Sequence, residues 1–135
     1  MILIGIDVAK DKHDCCIINS DGEFPEEVFS ILNNREGYET LYKWICSLAV
    51  DFTKVKVGLE STGHYSSNLL AFLLDKHLTA YVINPLRVNL FRKGQSLRRT
   101  KTDKIDSRDI AHLLMTDSSL KPYSCLLYTS DAADE

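Results

Sequence analysis

The sequence predicts an α/β domain: a mixed five-stranded sheet in the order 3-2-1-4-5 with helices on both faces. Three observations carry this. The chain opens with three β-branched apolar runs separated by short polar turns, which predicts an antiparallel meander. From Arg35 the apolar spacing changes to three and four, and helix-like and strand-like segments then alternate. Strand–helix–strand crossovers are right-handed and join parallel strands, so the fourth and fifth strands are expected parallel to the first.

Met1–Val8 (MILIGIDV) is an apolar run with an acid near its end and reads as a buried strand. Ala9–Asp14 is a polar turn. Cys15–Asn19 is a second strand, and Ser20-Asp21-Gly22 is a hairpin signal. Glu23–Ile31 is the third strand, with Pro25 suited only to an edge or an irregular start. Arg35–Leu48 carries Tyr38, Leu41, Tyr42, Ile45 and Leu48 on one helical face. Lys54–Leu59 alternates like a strand and leads into Glu60. Ser61-Thr62-Gly63 then supplies capping chemistry for a helix over His64–Lys76. Thr79–Ile83 is the fifth strand, and Asn84-Pro85 ends it, with Pro85 suited to a first helical turn. Arg87–Lys93 is compatible with helix, and Gly94–Thr102 reads as a basic loop. Asp103–Met115 is the last helix, with Ile105, Ile110, Leu113 and Leu114 inward. This order of elements is the ribonuclease-H-like topology.

A length of 135 residues and an ordinary composition fit one domain with a real core. No signal peptide and no bilayer-spanning apolar run is read in it, so a cytoplasmic location is expected. Cys15, Cys16 and Cys46 show no CxxC spacing, which argues against zinc and disulfides; buried reduced thiols are the expectation. The last residues, Cys125–Glu135, match in frame the translation of a common transposon-based sequencing adapter. They are therefore set outside the fold, with the domain expected over 1–120 and a tail over 121–135.

Removing that segment lowers the acids from 19 to 16, which balances the 16 Lys and Arg. The balance is uneven. From Arg87 to Arg108 eight cations (Arg87, Arg92, Lys93, Arg98, Arg99, Lys101, Lys104, Arg108) face two acids, a net of +6. A charge run of this kind often only solvates a loop. Here it is unbalanced and lies directly before a row of acids, which favours contact with a phosphate backbone.

The acids suggest the chemistry. In the expected topology Asp7 and Glu60 end neighbouring parallel strands, about 5 Å apart, where open α/β sheets bind ligands. Two such carboxylates repel unless a cation lies between them, and magnesium takes oxygen ligands while keeping waters for phosphate oxygens. The plainer alternative is that each merely begins a polar turn. Asp103 and Asp106, three apart on a helix, would share a face, with Asp109 continuing the row. Helix capping and the helix dipole explain acids there equally well. His64 and Tyr65, at a helix N-terminus, could lie near a bound phosphate but are better explained by packing.

GIDVAKDKHD (Gly5–Asp14), ESTGHY (Glu60–Tyr65), Asn84-Pro85 and KTDKIDSRDIAHLL (Lys101–Leu114), in this order, resemble the N-terminal domain of the DEDD insertion-sequence transposases of the IS110 type. The resemblance covers residues 1–120. It implies a RuvC-like catalytic domain whose acidic residues map onto Asp7, Glu60, Asp103 and Asp106. It also implies Mg²⁺ (Mn²⁺ as a substitute), a DNA substrate, a structured guide or bridge RNA, and a homo-oligomer for the full protein. Family members carry a C-terminal domain with a serine believed to be the nucleophile, and that part is missing here, so the fragment alone is expected to be inactive. Rival readings are a stand-alone junction resolvase or nuclease, and a non-catalytic nucleic-acid-binding module. An actin-like or sugar-kinase ATPase half-domain is disfavoured by only six glycines and by Val8-Ala9 after Asp7.

Overall fold

Five strands, β1 (Ile2–Asp7), β2 (Lys12–Asn19), β3 (Glu27–Leu32), β4 (Val55–Glu60) and β5 (Thr79–Ile83), form one sheet in the order β3-β2-β1-β4-β5. The computed structural model describes residues 1–22, 25–49, 51–60, 63–95 and 106–123. The first three strands pair antiparallel, and β4 and β5 run parallel to β1. Among the described residues four α-helices cover the sheet: α1 (Arg35–Leu48), α2 (Ser67–Asp75), α3 (Pro85–Gln95) and α4 (Ser107–Thr116). The order and strand directions are those expected from the sequence.

Strand alternation divides the core into two layers. Ile4 and Ile6 of β1, Cys15 and Ile17 of β2, and Val57 and Leu59 of β4 pack in one layer with Leu41 and Ile45 of α1 and Leu69 and Leu73 of α2. Leu3, Cys16, Ile18, Tyr81 and Ile83 form the other with Val88 of α3 and Ile110, Leu113 and Leu114 of α4. Each aliphatic side chain so enclosed contributes about 1.5–3 kcal/mol. That is why β1, covered on both faces, reads as an unbroken apolar run.

Several boundaries differ from expectation. β2 starts at Lys12 rather than Cys15, because His13 points into the core and Lys12 already pairs with Leu32. The hairpin after it closes at Gly22, whose φ of 72° suits glycine. β3 starts at Glu27 and lies at the sheet edge, as Pro25 anticipated. A short 3-10 turn over Gly63–Ser66 precedes α2, and Ser66 makes no side-chain cap bond. The helix ends one residue before Lys76 in a Schellman closure: Leu78 N–H donates to Leu73 O and His77 N–H to Leu74 O, with His77 at φ 63°. α3 runs on through Gly94 to Gln95, residues expected in the loop. Residues 96–105, which include the rest of that loop, lie outside the described residues. Past α4 the chain returns along β5, where Tyr123 N–H donates to Ala80 O at 2.7 Å, just beyond the domain end expected at 120.

Cys15 and Cys16 are buried, and burial pushes both thiols well above the ordinary range. Cys46 corrects the expectation of buried thiols: it lies on the exposed face of α1. Among the described residues no helix is long and apolar enough to cross a membrane.

Candidate active site at the C-terminal ends of β1 and β4

β1 and β4 are parallel neighbours in the register Ile4↔Val57, Gly5↔Gly58 and Ile6↔Leu59, so Asp7 and Glu60 follow as the next pair. Alternation decides their direction. Ile6 and Leu59 belong to the α1/α2 layer. Gly5 and Gly58 face α4, since a Cβ on Gly5 would meet Ser107 O and Ala111 N, and one on Gly58 would meet Leu114. Asp7 and Glu60, two residues further along, therefore share the α4 face. Both are half-buried. Burial pushes the Glu60 carboxyl up, and the charge of Asp7 raises it further. The pair is thus close enough to interact.

The two glycines explain how a helix comes so near. With no side chain on β1 at Gly5, the first turn of α4 lies directly on the strand, two residues before Asp7. Asp106 is the N-cap of that helix, with extended backbone (φ −118°, ψ 175°). Its Oδ1 accepts from Asp109 N–H at 3.1 Å, and Asp109 Oδ2 accepts from Asp106 N–H at 3.2 Å, a reciprocal capping box. Asp109 is buried and Asp106 exposed. This corrects the expectation that Asp106 lies within the last helix, which begins at Ser107. Asp106 is not helical, because its side chain satisfies a first-turn amide from outside the helix. Asp103 lies outside the described residues.

A further carboxylate, missed in the sequence, ends the row. Asp14 pairs directly with Asp7 across the β1–β2 ladder and faces the same side. Its Oδ1 accepts the Ser30 hydroxyl at 2.6 Å. Reading Asp14 as part of a turn hid it; a strand beginning at Lys12 would have exposed the alternation with Cys16 and Ile18. Asp14, Asp7 and Glu60 thus cross the sheet end in line. Among the described residues no three His, Cys, Asp or Glu side chains converge tightly enough to hold a metal by themselves. The donors are nevertheless hard carboxylate oxygens, and Asp7 and Glu60 repel each other, which suits a divalent cation such as Mg²⁺ or Mn²⁺.

The basic residues fall into three groups. Arg87 is engaged with the chain's own acid, its Nη2 lying 2.8 Å from Asp117 Oδ2, and it also meets the Ser119 hydroxyl. Arg108 Nε lies 3.1 Å from Glu26 Oε2, and His112 Nε2 lies 3.0 Å from Glu26 Oε1, an anchor between the start of β3 and α4. Lys93 is exposed on α3. The side chains of Arg92 and His64 are not described, and Arg98, Arg99, Lys101 and Lys104 lie outside the described residues. Tyr65 is exposed in the 3-10 turn after Glu60.

A family model for DEDD transposases of the IS110 type, described as "Transposase", matches residues 4–127. Over 104 residues the chain is 31% identical to the pilin gene-inverting protein of Moraxella lacunata, covering 77% of this chain and 31% of that protein. It is 32% identical over the same length to the pilin gene-inverting protein of Moraxella bovis, with the same coverage. The chain therefore spans about a third of the length of the curated relatives it matches. In fold it is similar to Thermus thermophilus RuvC, with a TM-score of 0.56 at 12% identity over 91% of this chain and all of that one. It is also similar to T. thermophilus RuvC in complex with a Holliday junction substrate, with a TM-score of 0.52 at 14% identity over 91% of this chain and 99% of that one.

Proposed function

The chain belongs to the DEDD transposase family, and from that premise we propose that it is the RuvC-like metal-binding domain of a DNA recombinase, acting in divalent-dependent strand cleavage and exchange. The observation that carries the reading is the placement of Asp7 and Glu60 side by side on the α4 face, with the N-terminus of α4 held over β1 by Gly5. In this reading Asp7, Glu60, Asp103 and Asp106 hold the ions. Residues 1–120 form the domain, and a further C-terminal domain supplies the attacking hydroxyl. The chain through Tyr123 follows β5, and Cys125–Glu135 is read as adapter-derived and without a role in the fold. A second copy and a structured guide RNA complete the assembly, which works in the cytoplasm.

Bound divalent ions would neutralise charge that builds on the attacking and leaving oxygens of a phosphodiester exchange. The residues of this chain have other tasks. Asp7, central in the row, and Glu60 beside it would hold the cation at the sheet end, and a bound cation would favour the deprotonated state of Glu60. Asp106 caps α4 through Oδ1, which fixes the helix start, and its other carboxylate oxygen would be the one offered to a cation. Lys93, Arg92, Arg98, Arg99, Lys101 and Lys104 hold DNA phosphates. Arg87 and Arg108 join them where phosphate displaces Asp117 and Glu26. The similarly folded T. thermophilus RuvC takes a Holliday junction as its substrate, which supports a branched DNA as the species received on this face. The names of the Moraxella relatives support recombination that inverts a DNA segment.

Titration calorimetry with Mn²⁺ tests the metal site. Asp7→Asn is expected to abolish binding, and Asp106→Asn to weaken it more than Asp109→Asn does. Binding that is unchanged in Asp7→Asn would replace the catalytic reading with that of a nucleic-acid-binding module.

A further inference from the structure

The exposed turn after Asp7 is tied down from beneath by two residues outside the acidic row, one of them braced by a third. Ala9 N–H donates to His13 Nδ1 at 3.1 Å. Asn33 Nδ2 donates to Lys10 O at 2.8 Å, and Asn33 N–H donates to Asp11 O at 2.9 Å. The Tyr38 hydroxyl donates in turn to Asn33 Oδ1. The rings of His13 and Tyr38 lie parallel, 4° apart in plane, with centroids separated by 6.4 Å. Ala9, Lys10 and Asp11 are exposed, yet each has a backbone group held by one of these residues. Water could satisfy such groups without ordering the turn. Two side chains brought from β2 and from the β3–α1 connection order it instead.

His13 meets an additional requirement. It is fully buried, and accepting the Ala9 N–H demands an unprotonated Nδ1, so the ring must be neutral with its proton on Nε2. That Nε2 makes no well-formed hydrogen bond among the described residues, with only the Asn33 side chain near enough to favour a proton on the ring. A buried donor left unpaired is costly, and a leucine or phenylalanine would fill the space without that cost. The histidine is therefore explained by its Nδ1 acceptor. It also lies on the wrong face for chemistry: odd-numbered residues of β2 face α1, whereas Asp7 and Asp14 face α4.

We infer that His13, supported by Asn33 and Tyr38, is a positioning residue that fixes the turn over residues 8–11 and so holds the Asp7 carboxylate in the orientation a divalent cation needs. The inference rests on the proposed role of Asp7, and it deepens that role. His13 acts through two peptide units. The Ala9 bond restrains the backbone leaving β1, and the Asn33 bonds restrain the same turn as it enters β2.

The test uses the full chain, NMR exchange of the Ala9 amide without metal, and Mn²⁺ affinity by calorimetry. His13→Phe keeps the stack on Tyr38 and removes the acceptor; His13→Asn places an oxygen near the Nδ1 position. In His13→Phe the Ala9 amide is expected to exchange about five- to tenfold faster, as loss of one hydrogen bond implies. Mn²⁺ affinity should fall about ten- to a hundredfold, as for other groups that orient a metal ligand. His13→Asn should restore most of both. Tyr38→Phe, which keeps the core ring, should show the same direction of change more weakly. If His13→Phe only lowers the melting temperature while Ala9 exchange and Mn²⁺ affinity stay at wild-type values, or if His13→Asn behaves like His13→Phe, the inference is wrong. Should the wild-type chain bind no Mn²⁺, the proposed function fails on that result, and Ala9 exchange alone then decides whether His13 holds the turn.

Discussion

Gly5→Ala should do more damage than the addition of one methyl group suggests. The new Cβ would lie 2.2 Å from Ser107 O and 2.4 Å from Ala111 N, both atoms of the α4 backbone. Ordinary carbon–oxygen contacts begin at about 3.3 Å, so α4 must retreat by about 1 Å. No side-chain rotation can absorb this, because the obstacle is helix backbone on strand backbone. Overpacking costs about 1–3 kcal/mol, and a rigid obstacle puts this site at the upper end, about 3 kcal/mol. For a chain of this size that lowers Tm by about 10 °C. The internal control is Gly58→Ala, whose Cβ meets only the Leu114 side chain, Cδ1 at 2.8 Å and Cγ at 3.0 Å, rather than backbone. Leu114 can turn aside, so the loss there should be about 1 kcal/mol or less. Calorimetric melting of both variants without metal measures the stability difference. The Gly5 variant should also bind Mn²⁺ more weakly when folded, since Asp106 moves with the helix. A Gly5→Ala protein melting within a degree of wild type, or a Gly58→Ala protein less stable than it, would refute the close approach of α4 to β1.

Glu60→Gln should stabilise the metal-free protein at neutral pH. The folded-state carboxyl of Glu60 is raised by burial and by Asp7, so its contribution is fully present below the ordinary glutamate range and is lost as pH rises through the folded value. Urea unfolding at pH 4 and pH 7 should show the variant's advantage only at the higher pH, and an equal advantage at both would contradict this sign. Asp109→Ala should cost about 1–2 kcal/mol by opening the capping box and emptying a buried site, whereas Asp106→Asn keeps an acceptor at the cap and should cost only a few tenths. Unfolding midpoints compare the two, and equal losses would count against the capping box. Replacing Arg98, Arg99 and Lys101 together with alanine should weaken DNA binding regardless of sequence and lower the log–log salt slope by about 0.7–0.9 for each phosphate no longer neutralised. A slope that does not change would assign these residues to loop solvation.

Local signals carried much of the fold. Arg35–Leu48 and Thr79–Ile83 have the bounds read from the sequence, because their information is local. An apolar stripe specifies the helix, Asn34 caps it by accepting from Gly37 N–H at 2.9 Å, and Pro85 stops the strand's continuation. The adjacency of Asp7 and Glu60 was also legible, since right-handed crossovers leave few ways to order the strands. Their shared face then follows from a side-chain period of two.

Tertiary contact decided the rest. Whether the chain before Ser107 continued as helix could not be read locally, since an aspartate serves equally in a first turn or as a cap. The pairing of Asp106 with Asp109, on a helix held against Gly5, made it a cap. Asp14 joined the acidic row only through a ladder that extends to Lys12↔Leu32, a register set by pairing between strands. Glu26 reached α4 because the sheet brings the edge of β3 beside that helix, turning Arg108 and His112 toward an internal partner. By itself the sequence determined which segments are strands and helices, the order in which they join, and the carboxylates at the strand ends. Which carboxylates and cations meet depended on register and on helix approach, because these arise from contacts between residues far apart in the chain.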